Sequence, residues 1–307
     1  MESKFYEKLD NLYQQGTPEK TERFLLNYLE EYKEAEEKTI LISVLNELGS
    51  FYRGISIYDK SCLYFSKALE LMIEEGIFDA RQYSALLLNY AGTSRLMGDV
   101  DKSILLFCHA KEVLEEAKLT NSYEYASVLN NLAHSYCEQG RLEQALEIAK
   151  ASLDMVRTMK NAKQETATSL SNIASLYFQM QETKKASQYI EEALEVFDGM
   201  PDVDSHYAAA LTTRASIFYA NQDYENAIED YLKALELTER FFGQNLEYAI
   251  LCHNLSLSYK ESNQKAKAIQ YQKKAIALCE AILDQDAPRL KKYQEYLEIL
   301  CSMDVSK

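Results

Sequence analysis

Proline and glycine are scarce in this 307-residue chain, at three and nine residues, and tryptophan is absent. So few helix breakers, in a composition dominated by Leu, Ala, Glu, Lys and Tyr, predict a nearly all-helical protein. Nor does any stretch approach the roughly 18 unbroken apolar residues that a membrane-spanning helix requires. The opening segment MESKFYEKLDNLY has neither a basic leader nor an apolar core, so a cytoplasmic protein without a membrane partner is expected. A net charge of −15, with acids and bases mixed, repels phosphate backbones and argues against a nucleic-acid partner.

The machinery of catalysis is missing as well. Cys62, Cys108, Cys137, Cys252, Cys279 and Cys301 stand singly, without metal or redox spacing, and read as reduced packing residues. The four histidines, His109, His134, His206 and His253, have no ligand-like partner at i+4, and there is no phosphate loop or nucleophile elbow. Adjacent acids such as Glu74 and Glu75 read as solvated helix-end charge. No catalytic residue, metal site or cofactor is therefore assigned. Were a metal present, Cys252 and His253 would be its first candidate ligands.

What the chain does contain is an internal repeat. Gly49, Ala91, Ala133, Ala174, Ala215 and Ser256 follow one another at spacings of 42, 42, 41, 41 and 41. Counting each as an anchor, offset +12 holds Ser61, Ser103, Ala145, Ala186, Ala227 and Ala268, and offset +19 holds Ala68, Ala110, Ser152, Ala193, Ala234 and Ala275. All eighteen are Gly, Ala or Ser, the residues that let two helices approach closely. Large residues keep the same register, with Leu45, Leu87, Leu129, Leu170, Leu211 and Cys252 at −4. At +3 come Tyr52, Ser94, Tyr136, Tyr177, Phe218 and Tyr259. Offsets −4, 0 and +3 form one helical stripe and +12, +16 and +19 a second. Between them lie polar breaks, where Gly98 and Gly140 are predicted to end the first helix in a left-handed cap.

Read as residues, LNNLAHSYCEQGRLEQALEIAKASL (129–153) and LTTRASIFYANQDYENAIEDYLKAL (211–235) resemble the tetratricopeptide repeat. The longer period, and FFGQNLEYAILCHNLS (241–256), are similar to the kinesin light chain subclass. The resemblance implies an all-α, right-handed superhelical solenoid of stacked helix-turn-helix units. Six repeats are expected over 42–285, starting near 42, 84, 126, 167, 208 and 249, between a capping helix pair at 1–41 and a capping helix and tail at 286–307. DGMPDVDS (198–205) reads as a loop between repeats. Ser94, Arg214 and Gln272 depart from their columns, so the second, fifth and sixth units are expected to pack less regularly.

In such an array the first helices line a concave groove. Offset −2 lies about 160° from the anchor on a helical wheel, opposite the packing stripe. Its column reads Glu47, Asn89, Asn131, Asn172, Thr213 and Asn254. An Asn amide both donates and accepts, so a row of them can pair with an extended peptide of any sequence. The family resemblance implies the same role for groove asparagines. The same column can instead hydrogen-bond the neighbouring hairpin or the preceding turn, and both readings stand. At −3, Asn130 belongs to a mixed column and reads as filler at the groove's edge. His134 shares offset +1 with mostly small residues, and Arg53 and Arg95, 42 residues apart, can clamp a carboxylate or pair with local acids.

The expected function is a non-catalytic adaptor or scaffold holding a protein or peptide ligand in the groove. Two alternatives are a peptide-responsive regulatory protein, for which the forty leading residues are short, and a self-associating scaffold.

Overall fold

The structure, a computed structural model, describes residues 2–15, 17–33, 38–200 and 205–302. Among them are fifteen α-helices and no strand, divided between two compact units, 1–141 and 142–307. The first contains α1 (Glu2–Gln15), α2 (Pro18–Tyr32), α3 (Thr39–Gly54), α4 (Tyr58–Glu74), α5 (Ala80–Leu96), α6 (Val100–Glu116) and α7 (Tyr123–Glu138). The second contains α8 (Leu142–Val156), α9 (Lys163–Gln179), α10 (Thr183–Asp198), α11 (Ser205–Ala220), α12 (Tyr224–Phe242), α13 (Leu246–Glu261), α14 (Lys265–Ile282) and α15 (Pro288–Ser302). Each unit is a stack of antiparallel helical hairpins, the architecture of an α-solenoid. The centre of the 198–205 loop, the tail beyond 302 and parts of the leading segment lie outside the described residues.

The columns of small residues are the contact lines of the hairpins, and all eighteen are buried. Gly49 shows why size is limited there: a Cβ on it would lie 2.5 to 2.8 Å from the Phe65 ring. The first helix of every repeat ends the same way. Ser56, Gly98, Gly140, Gln181, Gln222 and Asn263, all at offset +7, adopt positive φ between 59° and 89°. In each, the following amide reaches back to the carbonyl at +3, as in Arg141 N–H to Tyr136 O (2.9 Å) and Gln264 N–H to Tyr259 O (2.8 Å). The left-handed cap foreseen at the two glycines is thus general, and four repeats form it without glycine.

Rings at +3 stack on rings at +15 across the turn in three repeats: Tyr52 on Tyr64, Tyr177 on Tyr189 and Tyr259 on Tyr271, with centroids 5.4 to 5.5 Å apart. Lys60, Lys185 and Lys267 lie 4.7 to 5.0 Å from the centroids of Tyr52, Tyr177 and Tyr259.

Of the irregular residues, Arg214 and Gln272 are compensated locally, where looser packing was expected. Arg214 donates from Nε and Nη2 to the Asp230 carboxylate at 2.7 and 2.9 Å, and Asp230 occupies the +15 position filled elsewhere by Tyr, Leu or Ile. That carboxylate pushes the Arg214 pKa upward. Gln272 donates to Tyr293 O at 2.8 Å, and its amide oxygen lies 2.9 Å from His253 Nδ1. Ser94 is buried beside Cys62.

Asn130 requires a correction of a different kind. It is 5% exposed and so buried, as are Ser171 and His253 in the same column, whereas Asn46, Leu88 and Thr212 are half-buried; Asn130 itself is a packed residue and not a groove edge. In the last repeat α15 covers that column, with the Tyr293 ring stacked on His253 at 4.1 Å and Tyr296 edge-on at 5.4 Å.

Candidate functional site

The first helices of the repeats carry the −2 column, and its six residues are all half-buried. In unit 1 the column is held in a chain of side chains. Arg53 Nη1 donates to Asn89 Oδ1 (3.3 Å), Asn89 Nδ2 donates to Asn46 Oδ1 (3.1 Å), and Asn46 Nδ2 donates to Glu47 Oε1 (3.5 Å). This ladder runs between α3 and α5. The guanidinium lies against α5 at Gly92, where a Cβ would be 3.6 Å from Nη1. Burial shifts both ends toward their neutral forms, lowering the Arg53 pKa and raising that of the Glu47 carboxyl.

Asn131 donates from Nδ2 to Ser127 O at 2.8 Å, one turn back on its own helix. Asn172 and His134 are also engaged within the chain. In unit 2, Asn254 lines a pocket of about 190 Å³ with Phe178, Ser216, Tyr219, Tyr231 and Leu257. There the hydroxyls of Ser216 and Tyr231 are 2.9 Å apart, and burial pushes the Tyr231 phenol up to about 12.

The structure therefore brings Arg53 and Asn89 together, while Arg95 pairs with Glu138 at 2.5 Å. Arg81 pairs in the same way with Glu124. Of the arginines considered for a carboxylate clamp, one is used by a carboxylate of the chain and the other by an amide.

Two kinds of residue escaped the sequence reading. Tyr83, Tyr125, Tyr207 and Tyr248 form a column at −8 and tie first helices to second ones. Tyr125 donates to Glu115 (2.8 Å), Lys233 donates to Tyr207 (2.6 Å), and Lys274 contacts the Tyr248 hydroxyl. The 42- and 41-residue spacings within this column were the available signal. The first helices also begin three or four residues before the expected repeat starts, which adds Thr39, Gln82, Tyr123 and Glu124 to this face. The N-caps Asp79, Ser122 and Asn245, which accept from the amides of Gln82, Tyr125 and Tyr248, mark those starts.

Among the described residues no cluster of three or more His, Cys, Asp or Glu side chains is placed to hold a metal ion. Burial pushes the Cys252 thiol up to about 12, and no described helix is long and apolar enough to cross a membrane.

Residues 124–198 and 206–281 match the tetratricopeptide repeat family. Among curated proteins no sequence match is found. Several solved structures share the fold. A Rap protein complexed with Competence and Sporulation Factor superposes with a TM-score of 0.67 at 12% identity, over 97% of this chain and 84% of that one. NprR in complex with its cognate peptide NprX gives 0.66 at 18% identity, over 97% and 86%. BtubC (BKLC) from P. vanneervenii gives 0.51 at 20% identity, over 75% and 91%.

Proposed function

This chain belongs to the tetratricopeptide repeat family, and from that premise we propose that it is a non-catalytic binding module. It takes an extended peptide segment on the face formed by the first helices of its repeats. The observation that carries this reading is the half-buried −2 column. Asn89 and Asn131 keep hydrogen-bonding capacity beyond the contacts already described, since an Asn side chain offers two donors and two lone pairs. Small neighbours at +1, among them Gly92, Ser175 and Ser216, leave room for a ligand main chain.

The test uses a peptide selected by the intact chain from a display library. Asn131→Ala should weaken its binding by about tenfold, the loss of one or two hydrogen bonds. The melting temperature should shift by no more than a few degrees. Unchanged affinity together with a loss of stability would assign the column to the stack instead.

A second reading, a peptide-responsive regulatory protein, is favoured by the likeness to NprR in complex with its cognate peptide. It requires that a free peptide of a few residues bind as tightly as the same sequence within a folded partner.

A further inference from the structure

In unit 1 a pocket of about 370 Å³ lies between α1, α3, the end of α4 and α5. Its volume is at the lower end of the roughly 300–1,000 Å³ range of sites that take small organic groups. Its floor is apolar: Met72 and Leu86 belong to the buried core cluster of this unit, and Ile42 and Ile77 pack against that cluster. At the mouth stand the exposed residues Gln82 and Ala85. The hydroxyl-bearing wall of Tyr6, Thr39 and Ser43 is already engaged within the chain.

Two features define what this pocket accepts. Among the described residues no carboxylate, ammonium or guanidinium lines it, while the charged groups on neighbouring turns are already engaged: Arg81 with Glu124, Arg95 with Glu138, and Arg53 with the amide ladder. A charged group placed on that apolar floor would lose its hydration without a counter-charge, whereas an apolar one gains by leaving water. Second, Asn46 is both a lining residue of the pocket and the middle rung of the ladder from Arg53 through Asn89 to Glu47. A peptide main chain laid along those amides arrives at the pocket mouth, and alternate side chains of an extended strand point to one side.

We propose that this pocket is the anchor subsite for one uncharged apolar side chain of Leu, Met or Phe size. The Gln82 amide at its mouth would pair with the adjoining peptide bond. The chain would thus recognise its ligand by an internal apolar residue and not by a terminal carboxylate. This rests on the peptide-binding reading above and deepens it.

The test uses the full chain, immobilised, and a positional-scanning library of N-acetylated, C-amidated decapeptides, so that no terminal charge contributes. The wild type should enrich Leu, Met or Phe at one position by about tenfold, the discrimination a hydrophobic pocket gives for one or two methylenes. Ala85→Trp, on an exposed helix surface, should abolish that enrichment while other positions keep theirs. Ile42→Ala, which deepens the pocket, should shift it toward Phe and Trp. Peptides retained without apolar enrichment, or an enrichment unmoved by both variants, would overturn the anchor subsite and leave peptide binding standing. A wild type that retains no peptide of the library would overturn both. Melting curves of the two variants show whether each is folded, and either folded variant alone decides the outcome.

Discussion

The two units differ in how much of the seam between consecutive repeats is polar. In unit 1 the second helix of one repeat meets the first helix of the next through paired hydroxyls, Ser61 with Thr93 at 3.2 Å and Ser103 with Ser135 at 2.9 Å. Each hydroxyl also has a backbone partner: Ser61 bonds Gly49 O (2.7 Å), Ser103 bonds Val100 O (2.9 Å), Thr93 bonds Asn89 O (3.1 Å) and Ser135 bonds Asn131 O (3.3 Å). In unit 2 two of the corresponding pairs, Ala145 with Leu176 and Ala186 with Ile217, are buried and apolar, the third sets Ala227 against Ser258, and a longer hydroxyl contact, Ser152 with Ser169 at 3.5 Å, joins α8 to α9. Its shorter polar contacts lie within hairpins and at the end cap, in Arg214 with Asp230 and in His253 with Gln272. A satisfied hydroxyl pair fixes register between repeats at little net gain in stability, whereas an aliphatic seam contributes burial without dictating a single alignment.

The comparison can be broken most forcefully at the buried ion pair of unit 2. Arg214→Leu leaves the Asp230 carboxylate, 5% exposed, without its cation, at a cost of about 3 kcal/mol. Adding Asp230→Tyr recreates the pairing of the neighbouring repeats and should restore most of that loss. Urea unfolding of the single and double variants measures both, and equal destabilisation by the two would show that the pair is not a unit.

In unit 1 the matching experiment is Gly49→Ala. The added methyl forces Phe65 to move, and overpacking of this kind costs about 1–3 kcal/mol. Hydrogen exchange should show α3 and α4 opening more readily while amides of unit 2 are unchanged, as expected where each repeat contacts only its neighbours.

Smaller still is the seam itself. Ser103→Ala or Ser135→Ala alone should cost about 1 kcal/mol by leaving a hydroxyl half-satisfied, while the double variant should cost less than the sum. Strict additivity in a double-mutant cycle would remove the hydroxyl pair as a coupling device.

The mildest effect is a pH dependence confined to the end of unit 2. Burial lowers the His253 pKa in the folded state, with Lys292 opposing its protonation and the Gln272 contact favouring it. As pH falls through the ordinary value of 6.5 the unfolded chain takes up a proton that the folded chain refuses, so stability declines from there until the folded value is reached. Thermal melting at pH 7.5 and 5.5 should show this decline in the wild type, and a smaller one in His253→Gln, which keeps an amide facing Gln272.

Much of the fold was legible in the sequence because eighteen small residues recur in three columns, and close helix contact leaves little choice at such places. The compensations were not. Arg214 and Asp230 are sixteen residues apart on opposite helices of a hairpin, so neither explains the other until the turn between them is known. Asn130 misled for a related reason: its angle on the helix is near the groove, yet its side chain is buried. Of the candidate site, the −2 column was visible from its spacing. The Arg53–Asn89–Asn46 ladder was not, because it joins three different offsets of two repeats.

The stacked tyrosine pairs make each unit separately observable by light. With no tryptophan in the chain, a single Tyr64→Trp or Tyr189→Trp substitution places one long-wavelength emitter on a ring partner inside one unit, against a dark background. Each labelled protein then reports the melting, or the ligand response, of one half of the molecule in the presence of the other.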